Sequence, residues 1–168
     1  MNMKKILSLL ALCAFGCFAA EVNLIPDAAG AAKFKTWYNP ATSKITAANG
    51  IITISANTDA KVNPYQKAQA RATVKGAALQ GKKFELSFKY RTEKLNGALQ
   101  VAIREVLPKS GIYHGVTLKK WDVSKEWKEY KKVFTTRKDA KELCLYIVGY
   151  YMKAGEKVEL KDLKLIAK

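Results

Sequence analysis

The chain has 168 residues, room for one ordinary domain. It carries 30 lysines and arginines against 14 acidic residues, a formal charge of +16, yet 49% of its residues are hydrophobic, which excludes a disordered polyelectrolyte. One histidine and three cysteines leave too few ligands for a Cys/His zinc cluster once the leader described next is set aside. Any catalytic device that needs a histidine must use His114.

Residues 1–20 read as a secretory signal peptide. Lys4-Lys5 supplies a basic start, Ile6 to Ala20 is uncharged, and small residues precede an exit after Ala19 or Ala20. The apolar run is about 15 residues, short for a helix spanning ~30 Å of hydrocarbon. A second reading is lipoprotein processing before Cys17, in Ala14-Phe15-Gly16-Cys17. No later stretch approaches the length of a membrane helix. The expected location is therefore secreted, periplasmic or cell-surface, with lipid anchoring through Cys17 as the variant. Loss of Lys4 and Lys5 with the leader takes the formal charge from +16 to +14. Cys144 is then the remaining cysteine and is expected to be a small buried hydrophobe.

The expected domain runs from residue 21 to residue 168. Phe34 to Tyr38 is aromatic-rich and closes at the Asn39-Pro40 turn. Gly50 to Ser55 reads as a β-branched strand. Tyr65 to Val74 is ambiguous, because its alanines suit a helix while its flanks and Lys75-Gly76 suit a strand. Phe84-Glu85-Leu86-Ser87-Phe88-Lys89-Tyr90-Arg91 alternates strictly between apolar and polar residues, and Leu99 to Arg104 repeats the pattern. Further strands are expected at Ile112 to Leu118, Trp127 to Thr136, Leu143 to Val148 and Val158 to Leu165. No segment sustains an apolar stripe of helical period. Seven to nine short strands with turns between them predict an all-β fold, an antiparallel β-sandwich.

The order of several landmarks resembles the galactose-binding-like jelly rolls, especially carbohydrate-binding modules of the cellulose- and xylan-binding type. The matching pieces are Asn23-Leu24-Ile25-Pro26, Leu79-Gln80-Gly81-Lys82-Lys83 with the strand after it, and Glu126-Trp127-Lys128-Glu129-Tyr130 with Phe134. Leu143 to Ile147 and Val158 to Leu163 complete the series. The resemblance covers most of the chain after residue 20. It implies a jelly roll, a carbohydrate partner and no catalytic residues. It also implies a structural calcium ion, with Asp162 at the matching position of the last strand. Lys33 and Lys35 stand where the family usually carries an acidic residue.

Sugar binding requires flat aromatic rings for the apolar face of a pyranose and planar polar groups for its hydroxyls. The candidate platforms are Trp37, Tyr65, Trp121, Tyr150 and Tyr151. The candidate polar contacts are Gln69, Arg104 and His114. Arg104 and Gln100 fall opposite the apolar row Leu99, Val101 and Ile103. Trp127, Tyr130 and Phe134 are read as core, and Tyr90 extends the inward row of Phe84, Leu86 and Phe88. Tyr146 lies out of register with Leu145 and Ile147.

The charge has two readings. Lysines guard the edges of a β-protein, or they attract an acidic polysaccharide. No specific nucleic-acid partner and no transmembrane segment are expected, and the chain is read as a monomer. The rival functions are a structural or adhesive surface protein that binds polyanions, and a polysaccharide lyase. The second arises because Tyr150-Tyr151-Met152-Lys153-Ala154-Gly155 resembles a string in jelly-roll alginate lyases. That resemblance implies acid/base work by Tyr150 or Tyr151 with His114, although the Gln-x-His context of those enzymes is missing. Glycosidase chemistry requires two positioned carboxylates, and Glu105, Asp122 and Asp162 are scattered in the sequence.

Overall fold

A computed structural model describes residues 23–24, 35–37, 43–57 and 65–168, with side chains for 23–24, 44–57 and 76–168. The expected leader and Cys17 lie outside the described residues. Ten strands are described: β1 (Lys35–Trp37), β2 (Ser43–Ala48), β3 (Ile51–Ala56), β4 (Tyr65–Lys75), β5 (Lys83–Thr92), β6 (Ala98–Val106), β7 (Gly111–Leu118), β8 (Ser124–Thr135), β9 (Glu142–Tyr150) and β10 (Lys157–Ala167). They form two five-stranded antiparallel sheets, ordered β1-β4-β9-β6-β7 and β2-β3-β10-β5-β8. The expected β-sandwich is borne out.

Alternation builds the core. Leu99, Val101 and Ile103 of β6 join Leu143, Leu145 and Ile147 of β9 from the first sheet. Ile52, Ile54, Phe84, Leu86, Phe88, Leu160 and Leu165 meet them from the second. Every second residue of these strands thus leaves water, which drives the two sheets together. Strand β9 is central and reads almost continuously apolar, because Cys144, Tyr146 and Val148 on its other face are buried too. Cys144 is buried as expected.

Two strands go beyond the sequence expectations. The first is β2, which no expectation covered. It pairs with β3 through Asn49-Gly50, both at positive φ (51° and 72°), the geometry of a two-residue type I′ hairpin. The second is the ambiguous segment from Tyr65, which is a strand held between β1 and β9; pairing on both sides overrides the helical preference of its alanines.

The start of the domain is pinned to β10. The Asn23 side chain donates to the Leu163 carbonyl (3.1 Å) and accepts from the Leu165 amide (2.9 Å). These groups lie beside the bulge between Lys161 and Lys164, where Asp162 takes a φ of 53°. A bulge frees ladder groups, and Asn23 satisfies two of them.

Candidate functional site

Residues paired across a ladder share a face of the sheet, so register decides which side chains can meet. On the outer face of the first sheet, β6 presents Ala98, Gln100, Ala102 and Arg104. Strand β7 presents Gly111, Tyr113, Gly115 and Thr117. Strand β9 presents Cys144, Tyr146, Val148 and Tyr150. Polar and aromatic groups therefore stand around a floor of small residues.

Two clusters form on this face. In one, the Arg104 guanidinium donates from Nη1 to the Tyr146 hydroxyl (3.3 Å), and Tyr113 meets Tyr146 edge to face at 5.7 Å. Tyr146 is buried, while Tyr113 is 46% exposed and open to a ligand. Gly111 lets the guanidinium lie across β7: a Cβ there would stand 2.6 Å from Arg104 Nε. Burial works against the Arg104 charge, but the Tyr146 hydrogen bond and the nearby Tyr146, Tyr113 and Cys144 outweigh it, so its pKa moves further up. In the other cluster, Tyr150 donates its hydroxyl to Gln100 Oε1 at 2.9 Å.

The sheet ends in exposed aromatics beside the second cluster. Trp121 is 67% exposed in the short 3-10 turn Lys120–Asp122, with the Lys119 ammonium 5.0 Å from its ring centre. Asp122 fixes that turn by accepting from the Lys119 amide at 2.8 Å. Tyr151 is 64% exposed and holds a left-handed φ of 54°. Beneath it, the buried Glu156 carboxylate accepts from the Asn96 amide (3.0 Å) and the Asn96 side chain. Ladder register brings the start of β6 to the ends of β7 and β9, so the turns that carry Trp121 and Tyr151 lie at one end of the sandwich.

The structure thus brings Arg104 and Tyr150 to one face, with Trp121 and Tyr151 at its end. Trp37, Tyr65 and Gln69 occupy β1 and β4, and their side chains lie outside the described residues. In backbone register Tyr65 partners Tyr150, Gln69 partners Tyr146, and Trp37 partners Lys67. Their positions therefore belong to the same face.

His114 is not brought there. It partners Ile103 and faces inward, in the row of Ile112, Val116 and Leu118. Its Nε2 is 2.8 Å from a carboxylate oxygen of the fully buried Glu105, and its ring stacks on Phe134 at 4.1 Å. The other Glu105 oxygen accepts from the Arg137 amide (2.6 Å). His114 thus closes the seam between the sheets. It lies on the opposite side of the first sheet from Tyr150, so the two are not brought together as the lyase reading would have them.

Of the calcium site that the resemblance implies, Asp162 is described, while Lys33 and the side chain of Lys35 lie outside the described residues. Asp162 pairs with Lys89 at 3.1 Å, and among the described residues no group of three or more acidic, histidine or cysteine side chains is placed to hold a metal. Calcium wants about six to eight oxygens, and the Asp162 carboxylate, paired with Lys89, supplies at most two of them.

Trp127 corrects another expectation. It lies on the outer face of the second sheet rather than in the core, with the Arg91 guanidinium 4.6 Å and the Lys161 ammonium 4.2 Å from its ring centre. Tyr130 and Phe134 do face inward, against Phe88 and Phe84. Tyr90 joins the core as expected, and burial, with Asp122 nearby, raises its pKa. Tyr113 is the exposed ring that no sequence expectation named. The alternation of Ile112, His114 and Val116 was the signal that sets it outward.

The fold is similar to the β-sandwiches of several solved carbohydrate-binding modules. A family 16 carbohydrate-binding module is similar over 85% of this chain and 99% of its own, with a TM-score of 0.59 and 12% identity. The N-terminal CBM22-1–GH10 modules of xylanase 10B from Clostridium thermocellum, complexed with xylohexaose, are similar over 88% of this chain and 27% of theirs (TM-score 0.56, 12% identity). A domain of bacteriophage CBA120 tailspike protein 4 is similar over 87% of this chain and 21% of its own (TM-score 0.63, 11% identity). This chain thus spans about a quarter of the last two. At such identities the likeness is one of fold. No protein-family model matches the sequence, and no curated protein matches it.

Proposed function

We propose that the protein is a secreted, non-catalytic carbohydrate-binding module that seats a glycan on the outer face of the first sheet. One observation carries the reading. Tyr113, Arg104, Gln100 and Tyr150 stand off the core register on a single face, around a floor of Ala98, Ala102 and Gly115. Rings of this kind stack on pyranose faces, and the guanidinium and amide supply planar hydrogen bonds to hydroxyls. Trp121 and Tyr151 extend the platform at one end. The similarity in fold to carbohydrate-binding modules supports the same reading, and the basic start and uncharged run of residues 1–20 support export.

A glycan array probed at low and at physiological salt tests it. Binding that persists at physiological salt and falls in Tyr113→Ala and Tyr150→Ala is the expected result. Binding that vanishes with salt and ignores both substitutions would leave charge attraction by the lysines in its place. No binding by the folded protein would sink the reading.

A further inference from the structure

We infer that the glycan taken on this face carries a carboxylate, a hexuronate unit whose acid group the Arg104 guanidinium receives beside Tyr113. The inference rests on the carbohydrate-binding reading above and deepens it. Among the described arginines, Arg91 is paired with Glu159 and Arg137 with Asp139. Arg104 has no carboxylate. Its one described hydrogen bond goes to a neutral hydroxyl at 3.3 Å, and its Nε is buried without a partner. A guanidinium has five N–H donors and a permanent charge, and partial burial removes the water that would otherwise answer both. A planar carboxylate completes that set with two parallel hydrogen bonds.

The surroundings select a sugar acid over a free anion. Tyr113 stands at the ladder position opposite Arg104, and its ring is half-exposed. A pyranose lying on Tyr113 would present a carboxylate from its ring edge to the guanidinium, which is laid flat across Gly111. The acidic residue described on this face is Glu142, two residues from Cys144 along β9 and opposite Val106, and no ion pair is described between it and Arg104. In backbone register, the neighbouring strands place Lys35 opposite Gln69, Lys67 opposite Val148 and Arg71 opposite Cys144.

The test is calorimetric titration at physiological salt with oligogalacturonate, oligomannuronate and glucuronoxylan, each beside its carboxyl-reduced form, and with dextran sulfate. The expected result is that at least one uronate binds about 10-fold or more tighter than its reduced form, the scale of one charge-assisted contact. Arg104→Gln should abolish that difference, weakening the uronate at least 10-fold more than the reduced form, which loses only hydroxyl contacts. Gly111→Ala keeps the charge but pushes the guanidinium aside, and should lose part of the preference. Thermal melts report folding; if Arg104→Gln does not fold, Arg104→Lys and Gly111→Ala carry the test. Neutral glycans binding while uronates do not would overturn this inference alone. Dextran sulfate binding as tightly as the uronates, whatever stands at residue 104, would overturn it in favour of general charge attraction. Failure of every glycan would remove the carbohydrate-binding reading itself.

Discussion

The two outer faces of the sandwich treat their charges in opposite ways. On the second sheet, cations meet carboxylates: Lys89 with Asp162 (3.1 Å), Lys131 with Glu85 (3.0 Å), Arg91 with Glu159, and Lys157 with Glu159 (3.7 Å). Even its tryptophan is covered, with Trp127 lying against Arg91 and Lys161. On the first sheet, Arg104 has a tyrosine for its neighbour and no counter-ion, beside a half-exposed Tyr113 and a floor of small side chains. The second face pairs these cations with carboxylates and sets its tryptophan against two of its positive charges. The first leaves a charge and a ring available. A strongly basic composition alone does not separate these cases; the placement of the few carboxylates does.

Four experiments break or sharpen that contrast. The largest effect is expected from Gly115→Ala, since a Cβ there would stand 2.2 Å from the Val101 carbonyl and 2.5 Å from Ala102 Cα. Backbone must move, and the loss should exceed about 2 kcal/mol in chemical denaturation. Ser87→Ala, on the second face, should stay within about 0.5 kcal/mol. Next is Tyr113→Ala, which should weaken glycan binding by about 10- to 100-fold, while Trp127→Ala leaves it unchanged. A result in the reverse order would move the site to the other face. Breaking the seam with Glu105→Ala strands the Arg137 amide and His114, and should lower stability by about 1–3 kcal/mol. The smallest effect is the acid response of the second face. The hydrogen bond from Arg91 holds the Glu159 carboxyl below the usual carboxylate range, against burial, with the charges of Arg91 and Lys157 assisting. A lowered folded pKa contributes stability above the unfolded value of about 4.3 and loses it as pH falls through the folded one. Wild type should therefore exceed Glu159→Gln by less than about 1 kcal/mol at neutral pH, and their melting temperatures should converge in acid.

Much of the sandwich was legible where strands alternate cleanly. The rows of β5 and β6 predicted their own inward and outward faces, and they set Arg104 and Gln100 outward correctly. For Trp127 the family resemblance and strand parity disagree, the first setting it in the core and the second outward, and parity prevails. Tyr130 and Phe134 are an even number of residues apart and share a face, while Trp127, three before Tyr130, cannot join them in a regular strand. His114 carried the same signal, since its parity matches Ile112 and Val116. Strand β2 is hard to read for a different reason: its alanines have weak strand preference, and the Asn49-Gly50 turn is the signal that marks it. The contacts that give the site its character were not in the sequence pattern at all. The passage of Arg104 over Gly111 and its lack of a carboxylate depend on ladders between distant strands.

Strand β10 sits between β3 and β5, joining two parts of the second sheet that are formed from earlier residues. Among the described strands, only β2–β3 and β6–β7 pair with their immediate neighbours in sequence. As the chain is synthesised, the β2–β3 hairpin can form early, yet it and the β5–β8 pair remain separate until Lys157–Ala167 emerges. The second sheet is therefore completed late. The bulge in β10 that Asn23 clamps cannot close before that strand is available.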